Sequence, residues 1–161
     1  MRTIIYLAGN ITLDPRTFEW REEFERLVEA EGLHELHDIE ILNPAHTEFD
    51  KDMLSGKLGG PKKALRMKRE LSQNIFRPKD YQLVKSTTLI VVNLDIIDQK
   101  RPIIGTVQEL CWARDIFYIP VIGIVGESTN IYCRHPWILE CLSAKVKTVA
   151  DSVEMVTNFI L

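Results

Sequence analysis

The apolar positions of this chain fall into short unbroken runs that alternate with longer periodic stretches. Thr3 to Ala8 reads Thr-Ile-Ile-Tyr-Leu-Ala and ends at Gly9, the pattern of a strand buried on both faces. A loop carrying Asn10 to Pro15 follows. Phe18, Arg21, Phe24, Leu27 and Val28 then recur near helical spacing before Gly32, which predicts an amphipathic helix over Pro15 to Glu31 with a glycine stop. Asp38 to Leu42 predicts a second strand, ended by Asn43-Pro44. Ala45 to Pro61, with Gly56, Gly59 and Gly60, has no period and predicts a long loop of the kind that often forms a binding lid. Lys62 to Phe76 is basic and helical, and Pro78 either kinks that helix or starts a new turn running to about Lys85. Leu89 to Leu94 is the strongest strand, Asp95 to Pro102 a polar loop, Ile103 to Phe117 a helix and Val121 to Val125 a fourth strand. After a loop over Gly126 to Cys133, the pattern predicts a helix over Pro136 to Ser143, an edge strand with alternating Lys over Lys145 to Val149, and a closing helix over Ser152 to Ile160.

Strands alternating with helices imply an α/β fold: a flavodoxin-like or Rossmann-like three-layer sandwich on a mostly parallel five-stranded sheet, with right-handed crossovers and strand order 2-1-3-4-5. A chain of 161 residues suits one such domain, residues 1–161, and shows no internal repeat. No G-x-G-x-x-G follows the first strand and no G-x-x-x-x-G-K-[ST] loop occurs, so neither a dinucleotide site nor a P-loop is supported. Such a sheet needs another site.

Charge and composition narrow the partners. A formal charge of -3 and a pI near 5.8 leave no general basic footprint, which argues against a nucleic-acid polymer, although local basic clusters could meet one phosphate. No charged n-region precedes an apolar h-region, and no apolar run approaches the roughly 18 residues of a membrane span. A soluble, cytoplasmic protein without a membrane partner is expected. Cys111, Cys133 and Cys141 are odd in number and lack a C-x-x-C pattern, the signature of reduced thiols rather than a disulfide framework. Neither Cys133 with His135 nor His34 with His37 has metal-site spacing, so no metal and no redox cofactor is expected.

The stretch Gly105-Thr106-Val107-Gln108-Glu109 opens a helix just after the strongest strand. In an open α/β sheet that place lies near the carboxyl ends of the strands, where ligands bind, and a helix N-terminus favours an ionised Glu. Glu109 is therefore a candidate nucleophile or base. Thr106-x-x-Glu109 is also a capping box, in which both side chains satisfy backbone donors, and the pattern alone favours that reading over catalysis.

Five features then converge: Tyr6-Leu7-Ala8-Gly9 ending the first strand, Trp20-Arg21 in the first helix, Asn43-Pro44 after the second strand, Asp80 upstream of a Ser-Thr-Thr strand entry, and Gly105-Thr106-x-x-Glu109. Together, over roughly residues 3 to 140, they resemble the nucleoside 2-deoxyribosyltransferase family and its nucleotide N-glycosidase relatives. The resemblance implies cleavage of the N-glycosidic bond of a 2′-deoxyribonucleoside, with the sugar held on Glu109 and passed to another nucleobase, or to water in a hydrolase. It implies roles for Glu109 as nucleophile, Asp80 as the carboxylate that positions the sugar and assists proton transfer to the base, and Tyr6 as the hydroxyl that orients the nucleophile. It further implies substrate contacts from Gly9, Asn10, Gly105 and Thr106, from an acid at Asp95 or Asp98, and from His135 and Trp137 reaching a neighbouring subunit's site. The partners implied are a nucleoside or nucleotide, a free nucleobase and further copies of the same chain in a homo-oligomer. Read alone, Tyr6 suits a core aromatic, His135 a helix-capping or interface residue, and Trp137 a core or interface anchor.

The chain also departs from the nucleotide hydrolases of that group. Where those hold a 5′-phosphate with small hydroxyl residues and an Arg near the first loop, and with a Ser before the Gly-x-x-x-Glu stretch, this sequence reads Asn10-Ile11-Thr12 and Ile103. Arg77, Lys79, Arg101 and Arg134 are the alternative positive charges. The phosphoribohydrolases also present Gly-Thr-x-x-Glu, yet their preceding Pro-Gly-Gly is here Pro102-Ile103-Ile104. A non-catalytic nucleotide sensor on the same fold, with Glu109 only capping its helix, is the remaining class.

Overall fold

Five of the apolar runs form one parallel sheet: β1 (Thr3–Gly9), β2 (Ile39–Leu42), β3 (Leu89–Asn93), β4 (Val121–Ile124) and β5 (Ala144–Val146), in the order β2-β1-β3-β4-β5. The computed structural model describes residues 2–12, 14–44, 73–97 and 102–160. The Ala45 to Pro61 loop, the basic helix before Gln73, and Asp98 and Arg101 lie outside the described residues. Among the described residues the α-helices are α1 (Arg16–Ala30), α2 (Leu33–Leu36), α3 (Gln73–Ser86), α4 (Ile104–Cys111), α5 (Pro136–Leu139) and α6 (Val149–Ile160).

The alternation of side chains along each strand divides the core in two. Ile5, Leu7, Leu89, Val91, Ile122 and Ile124 pack with Trp20, Phe24 and Val28 of α1 and Val153 and Val156 of α6. Tyr6, Ala8, Ile90 and Val92 face the other way, onto Val84 of α3 and Leu110 of α4. β1 and β3 lie side by side, with Gly9 opposite Asn93 at their C-terminal ends. Because β1 leads outward to β2 and β3 outward to β4, this is the switch point of the sheet, where open α/β folds bind ligands.

The ends of several elements differ from the sequence pattern, for local reasons. Gly32, with φ of 64°, stops α1 as expected. β5 starts and ends early, at Ala144–Val146 rather than Lys145 to Val149. Ser143 draws the chain onto β4 through bonds to both backbone groups of Val121, and Thr148 with Asp151 forms a capping box that begins α6 at Val149. The helix expected to run to Ser143 closes at Leu139. The helix expected to run unbroken from Ile103 to Phe117 widens into a π-helical segment at Trp112–Phe117. Its i→i+5 repeat sets Trp112 and Phe117 on one side, where both meet the ring of Tyr81 edge-on, at 5.3 and 5.0 Å. α3 is thereby docked on this segment, and it passes through Pro78 without ending there.

Asn130 ties the β4–β5 connection to the end of β3. Its Oδ1 accepts from the Tyr132 and Cys133 amides at 2.9 and 3.1 Å, and its Nδ2 donates to Leu94 O and Ser128 Oγ, both at 2.8 Å. Asn130→Ala removes a cap and a tertiary bond together, and is expected to cost about 2 kcal/mol in urea unfolding. A cost below about 0.5 kcal/mol, the lower end for a lost cap, would mean that this loop is held by other contacts.

Candidate active site

Glu109 sits in the second turn of α4, which places it over β1 rather than at the helix tip. The N-cap of α4 is Ile103, which makes no side-chain cap bond, and the first turn carries no acid. Thr106 is already inside the helix and buried, so Thr106 and Glu109 do not form the capping box that the sequence allowed. Instead, the Tyr6 hydroxyl donates to Glu109 Oε1 at 2.7 Å, with Tyr6 only 2% exposed and Glu109 7%. This bond joins residues 103 apart in the chain, across the β1–α4 interface.

Desolvation dominates the electrostatics of Glu109. Burial pushes its pKa up to about 7; the Tyr6 hydrogen bond and the charge of Arg21 pull it down, and Asp80 pushes it up. The expectation that a helix N-terminus would simply keep this carboxylate ionised is therefore corrected. Tyr6 has its own pKa raised well above the ordinary value, by burial first and then by the Glu109 charge, so its proton stays on the phenol and the donor role is fixed. Asp80, on α3, is half-buried, and burial raises its pKa against the opposing charge of Lys79. Its field acts on both Glu109 and Tyr6. Tyr6, Asp80 and Glu109 thus form one electrostatic group, built from β1, α3 and α4.

The β1 exit forms the adjoining ground. Gly9 has φ of 148°, and a Cβ there would meet Asn93 O at 3.2 Å and Arg21 and Trp20 at 3.4 Å, so the position demands glycine. Asn10 follows, with its Nδ2 buried and lacking a hydrogen-bond partner among the described residues. A buried donor of this kind calls for an acceptor.

Other sequence candidates fall elsewhere. Asp95 is half-buried, with its carboxylate in the space beside Gly126, where a Cβ would approach it to 2.5 Å. Gly105 is exposed, and nothing lies within 4 Å of a Cβ built there. His135 precedes α5, is exposed and makes no side-chain cap, which corrects the capping reading. Trp137 is 79% exposed, so it is not a core residue; its neighbour Ile138 fills that role. Ile103, where nucleotide hydrolases carry Ser, is buried in the core. Arg77, Lys79 and Arg134 are exposed. Among the described residues no group of three or more His, Cys, Asp or Glu side chains could hold a metal ion, and no helix is long and apolar enough to cross a membrane.

One contributor carried little signal. Asn93 is buried at the end of β3, where its Oδ1 accepts from the Asp95 and Ile96 amides, both at 3.0 Å, and turns the chain out of the sheet. Arg21 did carry a signal, a charge set in the apolar stripe of α1. Fold and buried carboxylate together define a Rossmann-like α/β protein with an ionisable group beside its switch point. No protein-family model matches the sequence, and no curated protein matches it.

Proposed function

We propose that the protein cleaves the N-glycosidic bond of a 2′-deoxyribonucleoside and transfers the sugar to another nucleobase. The observation that carries this reading is the buried Tyr6–Glu109 pair at 2.7 Å with Asp80 acting on both. A carboxylate in that setting suits attack on an anomeric carbon. The Glu109 oxygen forms a bond to C1′ while the C1′–N bond breaks, its electron pair staying with the departing base, which takes up a proton. Asp80, whose burial favours the protonated form, suits that proton donor. A nitrogen of the incoming base then attacks C1′ as its N–H proton passes to the Asp80 carboxylate, which breaks the ester, restores the Glu109 carboxylate and reprotonates Asp80. The buried Asn10 donor suits a sugar oxygen.

The direct test is chromatographic. Deoxynucleosides and their 5′-monophosphates are incubated with and without a second base, beside Glu109→Ala. New nucleoside that needs the acceptor and vanishes in the variant is the expected result. Free base and free sugar without exchange would make the protein a hydrolase, and silence across the panel would reject the reading.

Acidity supplies an independent prediction. Attack requires ionised Glu109, so kcat/KM should fall about tenfold per pH unit below a midpoint near 7. A profile flat between about pH 5 and about pH 8 would mean that no carboxyl raised in this way takes part.

A further inference from the structure

Arg21 is fully buried, yet the bond-breaking steps above do not use it. A buried cation costs several kcal/mol unless hydrogen bonds and charges compensate it. The stripe of α1 formed by Phe18, Phe24 and Val28 would be filled more simply by an apolar side chain.

The bonds of Arg21 are specific. Its Nε donates to Leu7 O at 3.3 Å, Nη1 to Asn10 O at 3.4 Å and to Thr17 O, and Nη2 to Gly9 O at 3.1 Å, while the guanidinium lies 4.6 Å from the Trp20 ring centre. Leu7, Gly9 and Asn10 are the exit of β1, and Thr17 is in the first turn of α1. The fork therefore clasps the strand end to the helix, a task for five planar donors rather than for one ammonium. Its charge also reaches Glu109 and Tyr6, which lie on the opposite face of the sheet from the α1 core.

We infer that Arg21 is a positioning residue of the Glu109 site: its fork fixes the backbone of Gly9 and Asn10 at the exit of β1, and its buried charge acts on the Glu109 carboxylate as a counter-charge. The catalytic meaning of this rests on the proposed function; the geometry does not. Among the described residues, the charged and titratable groups acting on Glu109 are Tyr6 from β1, Asp80 from α3 and Arg21 from α1.

The experiment is an NMR titration of the full chain carrying carboxyl-labelled Glu, with the Glu109 signal assigned by its loss in Glu109→Gln. In Arg21→Gln the Glu109 midpoint is expected to rise by a resolvable fraction of a pH unit. In Arg21→Lys, which keeps the charge and loses the fork, the midpoint should stay at its wild-type value while the Gly9 and Asn10 amide signals move. A midpoint unchanged in Arg21→Gln overturns the counter-charge, and unmoved Gly9 and Asn10 amides in Arg21→Lys overturn the clasp. If Arg21→Gln fails to fold, Arg21→Lys decides: a displaced midpoint or unmoved amides overturn the inference. Because neither readout uses turnover, a wild-type protein that cleaves no nucleoside would end the proposed function while leaving this result standing.

Discussion

Glu109→Gln is expected to reduce glycosidic cleavage by about a thousandfold or more while making the protein more stable at alkaline pH. The first effect follows from removing the only nucleophile in the proposed scheme, because an amide oxygen cannot form the ester. The second follows from linkage. In the folded protein Glu109 titrates near 7, against an ordinary value of 4.5. Between those values the folded state holds a proton that the unfolded state has lost, so the contribution of Glu109 is fully present below about 4.5 and is lost as pH rises through about 7. A shift of that size corresponds to something on the order of 3 kcal/mol. Gln has the same shape, never ionises and still accepts from Tyr6. The variant and the wild type should therefore unfold at similar urea concentrations near pH 4.5, with the variant ahead at pH 8. Equal stability at pH 8 would show that the carboxylate is ionised there at no cost.

Tyr6→Phe should lower kcat/KM at neutral pH by roughly 10- to 100-fold. A hydrogen bond to a charged group contributes about 1.5–3 kcal/mol, and this one holds the carboxylate in place. Since the bond also lowers the pKa of Glu109, its loss moves the acid limb of the pH profile upward, so part of the activity returns at higher pH. Loss of activity with no movement of the limb would assign Tyr6 to packing alone.

Much of this was legible in the sequence, and the exceptions have physical causes. The runs at Thr3 to Ala8, Leu89 to Leu94 and Val121 to Val125 give β1, β3 and β4 to within a residue or so, because strands buried on both faces must be apolar throughout. The parallel sheet followed from the alternation of strands and helices, and its order is the flavodoxin-like one expected for such a chain. β5 was misplaced because its ends are decided by single polar bonds, at Ser143 and Thr148, that a period of two does not register. The π-helical segment was missed because the ring that its Trp112 and Phe117 meet, Tyr81, lies on another helix. At the site, pattern alone favoured the cap over chemistry for Glu109, since Thr-x-x-Glu is the same string in either role and caps are the commoner use of it. Only the position of the helix start, at Ile104 rather than after Thr106, separates them. Arg21 was visible as a charge in an apolar stripe, but its partners, the carbonyls of Leu7, Gly9 and Asn10, are backbone groups with no signature.

The proposed reaction requires that a sugar be carried on Glu109. The most direct measurement is intact-protein mass spectrometry after incubation with a 2′-deoxy-2′-fluoro-arabinosyl nucleoside, whose fluorine slows departure of the sugar by destabilising the oxocarbenium-like state. The account predicts a mass gain of one fluorosugar, mapped by peptide analysis to Glu109 and absent in Glu109→Gln. Release of the base with no adduct, or with an adduct on another residue, would contradict it.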